Sequence, residues 1–314
     1  MGIVMGISEK QNKRKRTIML MKRYYILYIF LLPAVSYIFI FHYIPMYGVQ
    51  IAFKDYTNYQ GILNSPWIGL DNFTEFFKSY RFWSILKNTF VLSTYSFLVG
   101  FPIPIFLALI LNYLPNMKLK KVTQTVTYAP YFISIVVVVS MLNLFLSPQS
   151  GIINSLLKLI GINPIFFLGN PKWFSHVYVW SGVWQSAGWY SIIYIASLSG
   201  VSPELHEAAF IDGASKIKQI LAIDIPTILP TIIILLILNL GQLLNVGYEK
   251  VYLLQNSLNI DVSEVISTYT YKVGLVNAEF SYSTAIGLFN NIINFIMLIF
   301  VNKIAKKVSD VSLW

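Results

Sequence analysis

The sequence predicts an all-α polytopic membrane protein with six transmembrane helices and both termini cytoplasmic. Three observations carry this expectation. The 314 residues are 56% hydrophobic and only 11% charged, with a mean hydropathy of +0.63, too little charge to coat a soluble domain of that size. Six apolar stretches reach the roughly 20 residues that a helix needs to cross a bilayer. Lys and Arg gather on alternate connections between those stretches, as the positive-inside rule requires of cytoplasmic segments.

The stretches fall at 24–45, 88–113, 122–146, 177–200, 226–248 and 283–302. The first has an apolar run too long for the core of a signal peptide, and no small-residue cleavage site follows it, so it is expected to stay as a span. Fifteen of the 23 Lys and Arg lie in the amino-terminal tail, the second connection (Lys118, Lys120, Lys121), the fourth (Lys216, Lys218) and the segment after the last span (Lys303, Lys306, Lys307). The expected organisation is a cytoplasmic basic tail at 1–23, a transmembrane domain at 24–304 with a cytoplasmic loop at 201–225, and a cytoplasmic tail at 305–314. The run KRKR beside the first span then reads as an orientation signal near anionic headgroups, and nucleic acid is not expected as a partner.

Several functions are excluded by what is missing. There is no cysteine, hence no disulfide, thiolate metal site or cysteine nucleophile. The spans as drawn contain no Asp, Glu, Lys or Arg, which argues against a carrier driven by protons or sodium. No G-x-x-x-x-G-K-[ST] loop can cradle ATP, and neither H-E-x-x-H nor G-x-S-x-G occurs. His42, His176 and His206 lie far apart without ligand spacing, so no catalytic residue and no metal site is predicted. Any work this chain does draws its energy from a partner.

Uncharged polar residues are the positive signal. In the fifth stretch Asn239, Gln242 and Asn245 recur every three residues, placing them along one face if the helix continues. Amides beside aromatic rings suit a cargo that offers only hydroxyls. Such amides also bond helices to one another, so both uses stay open. The fourth stretch, with Trp184 and Gln185 among Trp180, Trp189, Tyr190 and Tyr194, has the same ambiguity, because aromatic residues also anchor span ends. Pro33, Pro102, Pro104 and Pro130 interrupt other stretches, as suits helices that enclose a polar path.

The segment SPELHEAAFIDGASKIKQILAIDIPTILP, from Ser202 to Pro230, holds most of the charges near the apolar interior. Ser202, Pro203 and Glu204 form a helix start, and Asp212–Gly213 a stop, so two short helices are expected at 203–211 and 214–223. An amphipathic helix lying on headgroups is one reading. Small Ala208 and Ala209 beside Glu207 make a poor lipid anchor and allow close approach of a protein surface, which favours docking.

The core EAAFIDGA, Glu207 to Ala214, resembles the EAA loop of the transmembrane subunits of ABC importers. The stretches LLPAVSYIFIFHYIPMYGVQIAFKDY, SPWIGLDNF, GIINSLL and the ending from STYTYKVGL to SLW are similar to the lipoprotein/polysaccharide-type branch of carbohydrate permeases. The resemblance implies a type I ABC importer permease fold and an oligosaccharide cargo. It also implies a homologous second permease subunit, an ATPase dimer binding ATP and Mg at the cytoplasmic face, and an extracytoplasmic solute-binding lipoprotein in the plasma membrane of a Gram-positive bacterium. The chain itself would hold no cofactor. Coupling to the ATPase would rest on Glu207, Ala208, Ala209, Asp212, Gly213 and Ala214, with Glu207 and Gly213 the most sensitive. By analogy with disaccharide permeases, Asn239, Gln242, Asn245, Tyr248 and Asn290 join Trp184 and Gln185 as candidates for the substrate path, although the paired asparagines of the maltose-type permease are not reproduced.

Two rivals remain. A membrane-embedded enzyme acting on lipid-linked sugars would need carboxylates at the membrane face, where Asp55, Asp71 and Glu75 form the nearest cluster, and Asp71 reads better as a helix cap. A polyamine or other cation as cargo would be expected to meet acidic residues along its path, which the spans lack.

Overall fold

The computed structural model describes residues 19–308 and 312–313, and the basic residues from Lys10 to Arg16 lie outside them. The described chain is helical, with an isolated antiparallel bridge between Lys54 and Trp67. Helix α1, Tyr25–Phe53, loosens to a π turn at Phe39–Tyr43 and tightens to a 3-10 turn at Tyr47–Phe53. Its apolar window is wholly unburied, so within this chain it packs only near its end, where the 3-10 turn meets the last helix. In the short α2, Asp71–Lys78, Asp71 occupies the first helical position rather than the cap, which is Leu70. The carboxylate there acts through the helix dipole. Buried Asn72 donates to the carbonyl oxygen of Ala52 at 2.9 Å and ties α2 beneath the end of α1.

Helix α3, Phe82–Asn112, passes through Phe101 and Pro102 and matches the second expected span. The third does not form one helix. Its residues divide between α4, Met117–Phe132, and α5, Ile135–Phe145, which are bent by 100°. Pro130 cannot donate a backbone hydrogen bond, Ile133 is extended, and Ser134 starts the new helix by accepting from the Val137 amide at 3.4 Å.

After α6, Ile152–Leu159, comes α7, Pro171–Leu198, which is 28 residues long and capped by Asn170. It packs against α3 and α4 and buries Ser181, Ser191 and Gly188. A helix that faces protein on several sides has no need to be apolar all round. Among the described residues α7 is therefore absent from the four helices long and apolar enough to cross a membrane, namely α1, α3 and the later helices that begin at Lys216 and Phe280; the bent pair makes five if counted as one.

Helix α8, Pro203–Ile211, has the expected bounds, with Pro203 in its first turn, though Ser202 at its cap makes no side-chain bond. The fifth expected span is displaced. Helix α9 runs unbroken from Lys216 to Leu240, so Pro226 and Pro230 lie inside it and Asp224 with them. A π turn at Ile220–Asp224 lies where the missing donor of Pro226 would have bonded, and Pro230 is carried inside the α-helical part that follows. Past Leu240 the chain turns irregularly into α10, Tyr248–Leu254, then α11, Ile266–Tyr271, and α12, Phe280–Val308. The buried Glu264 carboxylate fixes this return against α3, meeting Arg81 at 2.6 Å and Lys272 at 2.8 Å.

Three apolar clusters hold the bundle. One joins Leu92, Val139, Phe174, Val179, Val246 and Val251; another centres on Phe76, Phe82, Ile266 and Ile286; a third joins Ala108, Tyr194, Leu198 and Ile228 close to α8.

Candidate functional site

Two places concentrate the residues singled out above. The first is the loop from Ser202 to Asp224. Its sharp reversal is a Schellman closure: Gly213 has φ +72°, its amide bonds to the Phe210 carbonyl at 3.0 Å, and the Ala214 amide bonds to the Ala209 carbonyl at 2.9 Å. Only glycine adopts that backbone without cost, which is the local reason for D-G-A. Glu207, Ala208, Asp212 and Gly213 are exposed, while Ala209 and Ala214 are half-buried against each other's turn. The same loop exposes Phe210 (78%) and Ile211 (83%) together with Leu205 and Ile217. Large apolar groups thus stand among charges on a segment that this chain leaves uncovered.

The loop is anchored by Asp224, whose side chain is fully buried. Its Oδ2 accepts from the Tyr113 hydroxyl at 2.7 Å, and its Oδ1 lies 3.3 Å from His206 Nε2, an ion-pair distance off-line for a hydrogen bond. His206 Nδ1 stands 3.3 Å from Gln219 Oε1, and the Gln219 amide donates to the Ala214 carbonyl. Burial, reinforced by the Asp224 carboxylate, pushes the Tyr113 phenol up and keeps it a donor. Helix α8 is thereby pinned to the root of α9 and to the end of α3. Asp224→Ala should cost about 1–3 kcal/mol, as expected for a buried hydroxyl left unpaired. Asp224→Asn, which keeps an acceptor for Tyr113, should cost less; thermal unfolding of the purified protein compares them.

The second place is a cavity of about 880 Å³ between α3, α7, the end of α9 and α10. It separates the first apolar cluster, which lends Val179 and Val246 to its wall, from the third, which lends Tyr194. Gln185, Asn239, Gln242, Asn245 and Tyr248 all border it. Trp184 and Asn290 do not: Trp184 is half exposed, and Asn290 donates to Asn245 Oδ1 at 3.0 Å.

The helical face expected for Asn239, Gln242 and Asn245 is absent, because α9 ends at Leu240 and the last two sit in the turn beyond it. Several of the amides serve the fold. Asn245 Oδ1 accepts from both Asn290 and Asn294, Asn239 bonds back to the Leu235 carbonyl, and Gln185 donates to the Ile133 carbonyl at 2.8 Å. That last bond satisfies an oxygen freed by the bend between α4 and α5.

Sequence reasoning missed Lys250 and the Ser96 hydroxyl. Ser96 Oγ is buried without a hydrogen-bond partner at the cavity wall. Lys250 is 6% exposed on the same wall, and burial draws its ammonium down to about 8. The pair Glu249–Lys250, directly after the apolar run, was the visible signal.

A helical chain with lipid-length apolar helices, a cleft between them lined by both amides and apolar groups, and an uncovered charged loop has the form of a membrane transport subunit. Residues 100–310 match the family described as binding-protein-dependent transport system inner membrane component, and the chain belongs to it. It is 41% identical over 305 residues to the polygalacturonan/rhamnogalacturonan transport system permease protein YteP of Bacillus subtilis (strain 168), covering 97% of this chain and 95% of that protein. Among solved structures it is similar to a bacterial ABC transporter involved in the import of the acidic polysaccharide alginate, with TM-score 0.86, 40% identity, and 94% of this chain and 99% of that one covered. The same score, at 39% identity and covering 93% and 98%, relates it to a bacterial alginate ABC transporter in complex with an alginate pentasaccharide-bound periplasmic protein.

Proposed function

We propose that this chain is a permease subunit of an ATP-driven, binding-protein-dependent importer of oligosaccharides in the plasma membrane. The cavity carries the reading: it is bordered by amides, hydroxyls and the rings of Tyr178, Tyr190, Tyr194 and Tyr248, the groups that bind a neutral or acidic sugar chain without stranding a charge. Its relative YteP is named for polygalacturonan/rhamnogalacturonan transport, and its solved neighbours are alginate ABC transporters.

The six spans in this reading are α1, α3, the bent pair α4 and α5, α7, α9 and α12. Both termini and α8 face the cytoplasm, in line with the distribution of basic residues, and the Bacillus relative is in keeping with a Gram-positive membrane. A homologous second permease completes the path, and α1, unburied up to its last turns, offers its surface to lipid or to that subunit. A separate ATPase dimer binds ATP and Mg and seats the loop carrying Glu207, Ala208, Ala209, Asp212, Gly213 and Ala214. An extracytoplasmic solute-binding protein delivers the cargo. Closure of the ATPase moves α8, and the anchor at Asp224 passes that movement to α9, whose far end borders the cavity, and to α3, whose middle does. Net import requires each ligand to favour a different one of two states.

The test is composition. Extracted gently from its native membrane with a tag, the chain should bring with it a second multi-span permease and an ATPase bearing a Walker motif, identified by mass spectrometry. A folded chain that repeatedly emerges alone would overturn the reading.

A further inference from the structure

Lys250 is a buried cation without a counter-ion. Its Nζ donates to the Tyr178 carbonyl at 2.9 Å and sits 4.9 Å from the centre of the Tyr178 ring. One turn along α7, Gly182 leaves room for it, since a Cβ there would stand 3.3 Å from Nζ. An ammonium has three donors, and one carbonyl and one ring face leave it short of partners. No carboxylate pairs with it among the described residues, whereas Arg81 and Lys272 share Glu264. Glu249, its neighbour in sequence, is exposed and on a helix faces away from it.

Lys54 provides the internal comparison. It too is buried without a carboxylate, but it donates to two carbonyls, of Ile62 and Leu63, and lies over the Trp67 ring away from the cavity. Its environment is closed and satisfied within the chain. Lys250 instead borders the 880 Å³ space, as do the partnerless Ser96 hydroxyl and three further tyrosines. An under-partnered buried charge is costly unless an anion or water meets it. In a membrane protein such a residue marks the path of what is carried.

We propose that Lys250 is the counter-charge for a carboxylate of the cargo, so that the cavity selects an acidic, uronate-containing oligosaccharide over a neutral one and repels a cationic one. This rests on the importer reading. The Tyr178 carbonyl and ring hold the ammonium in place at the cavity wall, and Gly182 keeps the approach to it open. Tyr190, Tyr194 and Tyr248 supply faces for the sugar rings, and the Ser96 hydroxyl supplies a further polar contact. Because Glu249 borders the same cavity, selectivity depends on the carboxylate reaching Lys250, and removal of the Glu249 charge should leave or strengthen the acid preference.

The assembled transporter, with its partner subunits and binding protein, is reconstituted in vesicles and given tetragalacturonate or its fully methyl-esterified form, which has the same chain without the charge. The wild type should carry the acid in preference. Lys250→Gln should lower the acid-to-ester uptake ratio by about tenfold, the effect of losing a charge-assisted hydrogen bond. Lys250→Arg should retain the preference, and so should Glu249→Gln. An unchanged ratio in an assembled Lys250→Gln transporter assigns the selectivity to the binding protein and overturns the inference. Should Lys250→Gln fail to assemble, carbodiimide cross-linking of the wild type loaded with tetragalacturonate decides: an amide mapped to Lys250 supports the assignment, and cross-links at other lysines alone refute it. A wild type that carries the ester as readily as the acid leaves the oligosaccharide importer standing and removes the role of Lys250. One that carries neither overturns both.

Discussion

Glu207→Ala is expected to reduce oligosaccharide uptake by about tenfold or more, the scale of losing a central interface residue, while the protein stays in the membrane at its normal level. Glu207 is exposed in the middle of α8 and makes no ion pair within the described chain, so its removal costs the fold little. Ala208 and Ala209 are small, Phe210 and Ile211 are exposed, and the Gly213 turn sets α8 against the start of the long α9, so the second short helix expected at 214–223 is instead the first part of α9. Uptake of labelled oligosaccharide, set beside the amount of chain in isolated membranes, measures the effect. Full transport at normal expression would remove Glu207 from the coupling machinery.

Gly188→Ala should have the largest effect on stability. A Cβ at Gly188 in α7 would run into the backbone of Thr127 and Tyr128 in α4, and neither is the flexible end of a side chain. Accommodation would require the two helices to separate, pulling apart the stacked rings of Tyr131 and Trp189, now 4.7 Å between centres. Overpacking of a buried site costs about 1–3 kcal/mol, and a clash with backbone belongs at or above the top of that range. The expected result is a lower thermal midpoint and less protein recovered in monodisperse form. A variant that matched the wild type in both would mean that α4 and α7 approach less closely than described.

How much of this was legible beforehand differs from element to element. Helix α8 could be bounded to the residue because its signals are local: proline in the first turn and glycine at the reversal act on their own backbones. The bend between α4 and α5 could not. Pro130 marks a weak point, but a kink and a 100° break look alike in one dimension, and the break persists because Gln185, 52 residues away on α7, bonds the Ile133 carbonyl. The polar face proposed for Asn239, Gln242 and Asn245 failed for a related reason. Spacing by three implies a shared face only where a helix continues, and the chain leaves the helix at Leu240, with Asn294 holding the Leu244 amide and the Asn245 side chain on α12.

By itself, the sequence determined that the chain is a helical membrane protein, that it carries the segment EAAFIDGA between two apolar stretches, and that it has no G-x-x-x-x-G-K-[ST] string. Composition, apolar length and a contiguous motif are properties of segments, and they survive without knowledge of what lies opposite. Only the tertiary structure decided that Asp224 anchors the loop through Tyr113 and His206, that Lys250 borders the cavity without a counter-ion, and that four of the five candidate amides bond within the fold. Those are statements about partners brought together across 18 to 111 residues of chain, as in the pairs His206–Asp224 and Tyr113–Asp224. A buried polar group takes its role from the atom that meets it, and that atom is chosen by packing.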